Sequence, residues 1–427
     1  MKRDCLAGLA LVLLVAPALR AQAPARATPT GFDPARLRRI DTWMQSYVDS
    51  NQIGGAVGLV LRDGRVVYEH AVGWIDKESG RRMTPNALFR IASQSKAVTT
   101  VALLSLVEEG KIGVDDPVSR WIPAFAHTTV AVKSDTGPAI VPAKRAITVR
   151  DLLTHTSGIS SGLDPLVARA YAAKGLGSEA GFWWYFADKD EPICTTVERL
   201  ATLPFSAQPG ERWIYGYSID VLGCVAERAS GMPLDQLIRE RITGPLKMND
   251  TYFYVPEGAA ARLVTVYASD STNHAVRAPE GARGQGNYVT GPRKEFSGGA
   301  GLISTAGDYA RFLEMLRNGG QLGGVRILAP HTVDLMTHNQ VGTLYDSSGG
   351  RGFGFGFETT EHYGSDGMTS MGSARWGGAY GSVYYVDPVE HLVIIFMMNQ
   401  LPNSTGIRDK FQTMVYQALV SPPLSPR

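Results

Sequence analysis

Two kinds of apolar pattern alternate along this chain. Leu37, Ile40, Trp43, Met44 and Tyr47 recur at helical spacing, which predicts an amphipathic helix over residues 34–50. Residues 56–61 are an unbroken apolar run that meets Asp63-Gly64, followed by Val66, Val67 and Tyr68. An Asp-Gly pair between β-rich runs predicts a hairpin. Residues 93–109 are apolar nearly all round and Gly110 follows, which predicts a buried helix with a glycine past its end. Further helices are expected over 195–203 and 218–230, and a long loop over the glycine-rich and polar 281–301. Thr305 and Asp308, with Gly319 and Gly320, bracket another helix. After a glycine-rich stretch at 349–356, strands return at 381–386 and 391–398 around Asp387-Pro388, and a last helix is expected near 405–420.

Strands therefore lie near both ends and helices in the middle. This predicts an α+β fold with one antiparallel sheet built from both chain ends and flanked by helices. A mostly helical lobe is inserted into it. The expected bounds are 34–87 and 295–420 for the sheet lobe and 88–294 for the helical lobe, within a domain spanning 34–420. A cleft between two such lobes is the natural place for a site.

The composition is that of a globular protein: 427 residues, 44% hydrophobic and 19% charged. The first 23 residues stand apart. Lys2 and Arg3 precede an apolar run from Leu6 to Leu19, and Ala21-Gln22-Ala23 supplies small residues for cleavage. This pattern reads as a secretory signal peptide, and a periplasmic or secreted protein is expected. The competing reading is a buried N-terminal helix. The run is shorter than the ~20 residues that span a bilayer, and Cys5 precedes it, which is a poor position for a lipid anchor. No stable membrane insertion is expected after cleavage. Residues 24–33, rich in Ala, Pro and Thr, read as a flexible leader. Cleavage would remove Lys2, Arg3, Arg20 and Asp4, bringing the formal charge from +2 to zero. No basic field then remains for nucleic acid or anionic lipid. Two cysteines are left, Cys194 and Cys224. They could pair in an oxidising compartment or stay as buried thiols, and the spacing leaves both open. Oligomeric state leaves no mark in the sequence.

Much chemistry is excluded. The eight histidines are scattered with no metal-ligand spacing, and there is no C-x-x-C, Walker A loop or G-x-S-x-G elbow. Gly352, Gly354 and Gly356 have no helix behind them, so a dinucleotide site there is not expected, nor is any other cofactor or metal. Cys194 has no basic sequence neighbour to activate it. What is present is Ser93-Gln94-Ser95-Lys96, the one S-x-x-K of the chain. Spacing of three puts both side chains on one helix face. A serine hydroxyl needs a group to take its proton, and burial in an apolar helix favours the neutral amine that can do so. The plainer alternative is an N-cap serine and a surface lysine. Two further features favour chemistry. Pro209–Tyr215 ends a loop before a helix, where the Tyr215 phenol could enter a cleft. Trp376-Gly377-Gly378-Ala379 opens a strand whose glycines allow a ligand close to the backbone.

Together these pieces resemble the serine hydrolases of the class C β-lactamase and penicillin-binding-protein fold, and within them the family VIII carboxylesterases. The matching segments are residues 89–96, 147–158, 209–215 with 220–223, 296–302 and 376–378, and they cover most of the chain after its leader. The resemblance implies an acylated nucleophile at Ser93, a base at Lys96, and a proton-transferring phenol at Tyr215. It also implies an oxyanion hole from the backbone N–H groups of Ser93 and Ala379. Two positions depart from the β-lactamase pattern: Tyr217 replaces an asparagine, and Trp376-Gly377-Gly378 replaces a Lys/His-Thr-Gly motif that helps hold a substrate carboxylate. Strand alternation turns Arg375 to the face opposite Trp376. The cleft thus exchanges a cation for an apolar wall, which suits neutral esters, and the Trp-Gly-Gly form is that of the carboxylesterase branch.

The resulting expectation is an exported serine esterase for short-chain carboxylic esters, without metal or cofactor. β-Lactam-like molecules are a second substrate class and side β-lactamase activity is expected. The alternatives of the same fold are a β-lactamase, a D-alanyl carboxypeptidase and a penicillin sensor that stays acylated; an inactive scaffold is a further one. His155, in a Thr-His-Thr-Ser-Gly turn, is read as hydrogen-bonded scaffold rather than as a triad base. Trp183, Trp184, Tyr185 and Phe186 read equally as core or as acyl-pocket wall. The loops at 160–190 and 281–301 are expected to shape the pocket.

Overall fold

A computed structural model describes residues 30–135, 137–177 and 189–420. The leader segment 1–23 and the aromatic run 183–186 lie outside the described residues. Asp33 caps the first helix, α1 (Pro34–Asp49), by accepting hydrogen bonds from the Ala35 and Arg36 amides, with Pro34 in the first turn. Strands β1 (Gly55–Arg62) and β2 (Arg65–Asp76) form the expected hairpin, and Asp63 and Gly64 both take positive φ in the turn. A two-residue strand, β3 (Arg81–Arg82), pairs with β2.

The chain then enters the inserted lobe. Helix α2 (Ser95–Glu108) is buried from Ser95 through Leu106, as its all-round apolar pattern requires. Helices α3 (Ile193–Ala201) and α4 (Ser218–Ser230) follow. The lobe is mostly helical, with a small sheet of Thr129–Ser134, Gly137–Pro142 and Pro204–Phe205. A disulfide joins Cys194 of α3 to Cys224 of α4, which decides the question the spacing left open.

Helix α5 (Ala306–Arg317), capped by the Thr305 hydroxyl, returns the chain to the sheet. Five strands follow: β4 (Arg351–Phe353), β5 (Glu358–Thr360), β6 (Ala374–Gly377), β7 (Val383–Asp387) and β8 (Leu392–Met398). Helix α6 (Ile407–Ala418) closes the fold. The order in the main sheet is β4-β5-β6-β7-β8-β1-β2-β3, antiparallel throughout, with β1 from one chain end against β8 from the other. Two details differ from expectation. The glycine-rich segment at 349–356 contains β4, because its backbone pairs with β5. Trp376 lies near the end of its strand rather than at its start, so Gly378 and Ala379 leave the sheet.

The sheet is buried on both faces. Ala56, Val60, Ile394 and Phe396 face α1 and α6, while Val57, Leu59, Ile395 and Tyr384 join the large core with α2, α4 and α5. Strand Phe89–Arg90 pairs with Ile303–Ser304 at the seam of the two lobes. The segment that carries Ser93 leaves directly from this seam. Among the described residues no helix is long and apolar enough to cross a membrane.

Candidate active site

Ser93 lies on a single 3₁₀ turn, Ala92–Gln94, just before α2, rather than on the helix proper. Ala92 has φ 43°, a left-handed conformation that a non-glycine residue adopts only at some cost. The three-residue spacing still brings Lys96 onto the same side as Ser93. Lys96 Nζ donates to Ser93 Oγ at 3.3 Å and to the Gly299 carbonyl at 2.7 Å. Lys96 is 4% exposed and Ser93 8%. The plainer reading of a surface lysine is thereby excluded.

The inserted lobe brings a second proton-bearing group to the same oxygen. The Tyr215 hydroxyl donates to Ser93 Oγ at 2.6 Å, and Lys96 Nζ lies 4.7 Å from the Tyr215 ring centroid. Ser93, Lys96 and Tyr215 thus form one cluster. Behind it lies a relay that sequence reasoning missed. Asp220 on α4 accepts from the Gly299 amide at 3.1 Å and from Ser297 Oγ at 2.6 Å, and the Gly299 carbonyl in turn receives Lys96. Burial raises the Asp220 carboxyl, while the Lys96 charge and these hydrogen bonds draw it back. The visible signal was the pair of matching segments 220–223 and 296–302, to which no role had been attached.

The two amides expected to serve as oxyanion donors are unengaged. Among the described residues the Ser93 and Ala379 amides donate no hydrogen bond to the protein. Ala379 packs against the small apolar cluster that contains Ala92 of the 3₁₀ turn. A Cβ on Gly378 would lie 2.5 Å from the Ile91 carbonyl oxygen, so the bare backbone of Gly378 is what lets this strand end approach the turn. Ser93 and Ala379 line one cleft, and an amide aimed at a developing oxyanion is worth about 3–4 kcal/mol.

The walls of the site are aromatic. Around Tyr215 stand the rings of His155 at 4.9 Å, Trp376 at 5.6 Å and Trp213 at 5.9 Å, and Phe353 closes against Trp376 at 5.5 Å. His155 is not held by hydrogen bonding: among the described residues both of its buried ring nitrogens lack a hydrogen-bond partner. Burial, with the Lys96 charge adding to it, holds its imidazole well below the ordinary histidine value. His155 acts as a neutral ring packed on Tyr215, and it makes no hydrogen bond to Ser93. Tyr217 is turned away from the cluster, 3% exposed, and donates to the Leu176 carbonyl at 2.9 Å.

Strand alternation holds at β6. Trp376 faces Tyr215, and Arg375 takes the other face over the Tyr385 ring, held by Asp366 and Glu358. A cleft of about 320 Å³ opens in front of Ser93 and Tyr215. Gly377, Gly378, Ala379 and Trp376 line it, together with Tyr345, Glu358 and Arg408, which motif spacing gave no reason to include, and with Arg375, which was expected to face away and reaches the cleft although its strand face is opposite to that of Trp376. Among the described residues no group of three or more His, Cys, Asp or Glu side chains is placed to hold a metal ion.

Comparison with known proteins agrees with this geometry. The family model described as Beta-lactamase matches residues 40–417. Esterase EstB of Burkholderia gladioli is 32% identical over 391 residues, covering 87% of this chain and 93% of that protein. Protein Rv1367c of Mycobacterium tuberculosis is 36% identical over 382 residues, covering 84% and 89%. Among solved structures, EstCE1, described as a hydrolase with promiscuous acyltransferase activity, superposes with a TM-score of 0.74 at 28% identity, covering 91% of this chain and 98% of that one. A fold with its sheet closed from both chain ends, a buried S-x-x-K at the seam of the lobes and a family match over nearly the whole described chain lead to one conclusion: the chain belongs to the Beta-lactamase family of serine hydrolases.

Proposed function

We propose that the chain is an exported serine esterase that hydrolyses short-chain carboxylic esters through an acyl-enzyme on Ser93. The observation that carries the reading is the convergence of Lys96 Nζ and the Tyr215 hydroxyl on Ser93 Oγ, beside two unpaired amides. Lys96 takes the Ser93 proton while Oγ attacks the ester carbonyl carbon. The carbonyl oxygen becomes an oxyanion facing the Ser93 and Ala379 amides. On collapse the carbon–oxygen bond to the alcohol breaks. Tyr215 gives its proton to the departing oxygen and is reprotonated from Lys96, 4.7 Å from its ring. A water then attacks the acyl carbon, losing its proton to the same pair, and Ser93 is released with the acid.

Ester rather than amide substrates are favoured by Trp376, which stands where a β-lactam-binding relative carries a cation, and by the withdrawal of Tyr217 from the cleft. The similarity to Esterase EstB supports the same choice. Export is proposed from the leader at 1–23 and accords with the Cys194–Cys224 disulfide.

A kcat/KM comparison on one preparation tests the substrate class, using p-nitrophenyl butyrate, a chromogenic cephalosporin and a D-Ala-D-Ala peptide. The ester is expected to lead by orders of magnitude; a lead by the cephalosporin or the peptide overturns the reading. Intact-mass measurement over time separates turnover, in which the protein returns to its free mass, from a sensor that stays acylated. Fractionation of expressing cells tests export.

A further inference from the structure

The proposed reaction leaves two motif segments, 220–223 and 296–302, without a role. They meet behind Lys96. Residues 297–301 run between α2 and α4, and bare glycine backbone lets them fit there. A Cβ on Gly298 would stand 2.9 Å from Thr99 Cγ2 of α2, and one on Gly299 would stand 2.3 Å from Asp220 Oδ2 of α4.

Hydrogen bonds join the two segments into one chain that begins at the amine. Lys96 Nζ donates to the Gly299 carbonyl at 2.7 Å. That carbonyl and the Ala300 amide belong to one peptide group, and the amide donates to Ser297 Oγ at 3.1 Å. The Ser297 hydroxyl donates in turn to Asp220 Oδ1 at 2.6 Å. Every link points from Lys96 toward Asp220, and links aligned in this way polarise and strengthen one another. The preceding peptide group is held separately. Its Gly299 amide donates to Asp220 Oδ1 at 3.1 Å, and its Gly298 carbonyl accepts from Thr99 Oγ1 at 2.9 Å. Lys96 and Asp220 are 4% exposed and Ser297 is 2% exposed, so bulk water does not compete for the links. The chain ends on a carboxyl in the interior, where a charge is costly unless it is paired. Burial raises that carboxyl, and the Lys96 charge is the largest influence drawing it back.

We propose that Asp220 and Ser297 are positioning residues for the reaction: through the Gly299–Ala300 peptide group they fix the carbonyl that aims Lys96 Nζ at Ser93 Oγ. The inference rests on the acyl-enzyme reading of Ser93 and Lys96, and not on which ester is cleaved.

The test measures kcat and KM on p-nitrophenyl butyrate, together with the rate at which a fluorophosphonate labels Ser93, a readout independent of the ester. Asp220→Asn keeps the shape of the side chain and removes its charge. Ser297→Ala removes the middle of the chain, and it carries the test if Asp220→Asn does not fold. Each is expected to lower kcat and the labelling rate by roughly 10- to 100-fold. Lys96 serves both half-reactions, so KM should stay within about twofold of wild type. The double variant should lose no more than the worse single one, because both substitutions cut one chain. Thr99→Val removes an equally buried hydrogen bond to the same segment, off the chain, and should keep kcat within about threefold. Losses that multiply in the double variant, or a Thr99→Val loss as large as the others, overturn the relay. A wild type that labels at Ser93 without cleaving the ester overturns the esterase reading, and the labelling rates still decide the relay. A Ser93 that does not label in the wild type overturns both.

Discussion

The Tyr215 hydroxyl lies 2.6 Å from Ser93 Oγ, closer than Lys96 Nζ at 3.3 Å, although Tyr215 is 122 residues away in sequence. The nucleophile is therefore gripped by the helix that follows it and by a distant segment of the same lobe. Tyr215→Phe keeps the ring packed on His155 and Trp376 and removes only the proton carrier. Its kcat should fall about 100-fold or more with KM little changed, as expected for lost general acid–base catalysis. Lys96→Ala should lose at least as much, and Ser93→Ala should neither turn over nor gain the acyl mass. Ester turnover near the wild-type rate in Ser93→Ala or Lys96→Ala would refute the assignment.

Gly378→Ala probes the oxyanion hole through the backbone. The new Cβ would stand 2.5 Å from the Ile91 carbonyl oxygen, so the strand end must withdraw from the 3₁₀ turn and carry the Ala379 amide with it. A loss of about 100-fold in kcat is expected, with a melting temperature close to wild type. Gly377→Ala meets protein atoms no nearer than 3.1 Å and should lose much less turnover on a neutral ester. Equal losses in the two variants would argue against the close approach as the cause.

Glu295 sets a pH dependence of stability. Burial raises its carboxyl from 4.5 to about 8. A carboxyl raised in the folded state favours folding fully below its unfolded value, and that contribution is lost as the pH rises through about 8. Glu295→Gln stays neutral throughout. The melting temperature of the variant minus that of the wild type should therefore rise from pH 5 to about pH 8 and level off above it. A difference that is constant over this range would show that Glu295 titrates normally.

The disulfide closes a loop with a sequence separation of 30 between α3 and α4, the helix that bears Asp220. On a chain-entropy basis such a link contributes about 3.5 kcal/mol. Cys194→Ser and Cys224→Ser should each lower the melting temperature by several degrees, and reductant should do the same to the wild type and nothing to the variants. A wild type indifferent to reductant would show that the bond carries no stability.

Local features were legible in the sequence because they depend on neighbours along the chain. Helix α2 was visible from its apolar pattern, the β1–β2 hairpin from Asp63-Gly64, and the shared face of Ser93 and Lys96 from a spacing of three. The opposite facing of Trp376 and Arg375 followed from strand alternation alone. Strands near both ends with helices between were enough for the sheet topology, since two half-sheets bury their apolar faces only by joining. The family motifs pointed to Tyr215 but gave no distance.

What lay beyond the sequence were contacts that exist only after closure. The 3₁₀ turn at Ser93, with Ala92 at φ 43°, follows directly on the pairing of Phe89–Arg90 with Ile303–Ser304, a contact between segments far apart in sequence. The Gly299 carbonyl that receives Lys96 is 203 residues away, and the partner of Cys194 is on another helix. His155 was expected to be hydrogen-bonded and is instead enclosed by three rings from two distant segments. Arg408 enters the cleft because α6 packs across β7 and β8, a geometry set by the fit of Phe411 and Val415 into the second core. Dihedral preference and apolar period are properties of a few consecutive residues. Which side chains share a cleft is decided by how buried faces from distant segments close on one another.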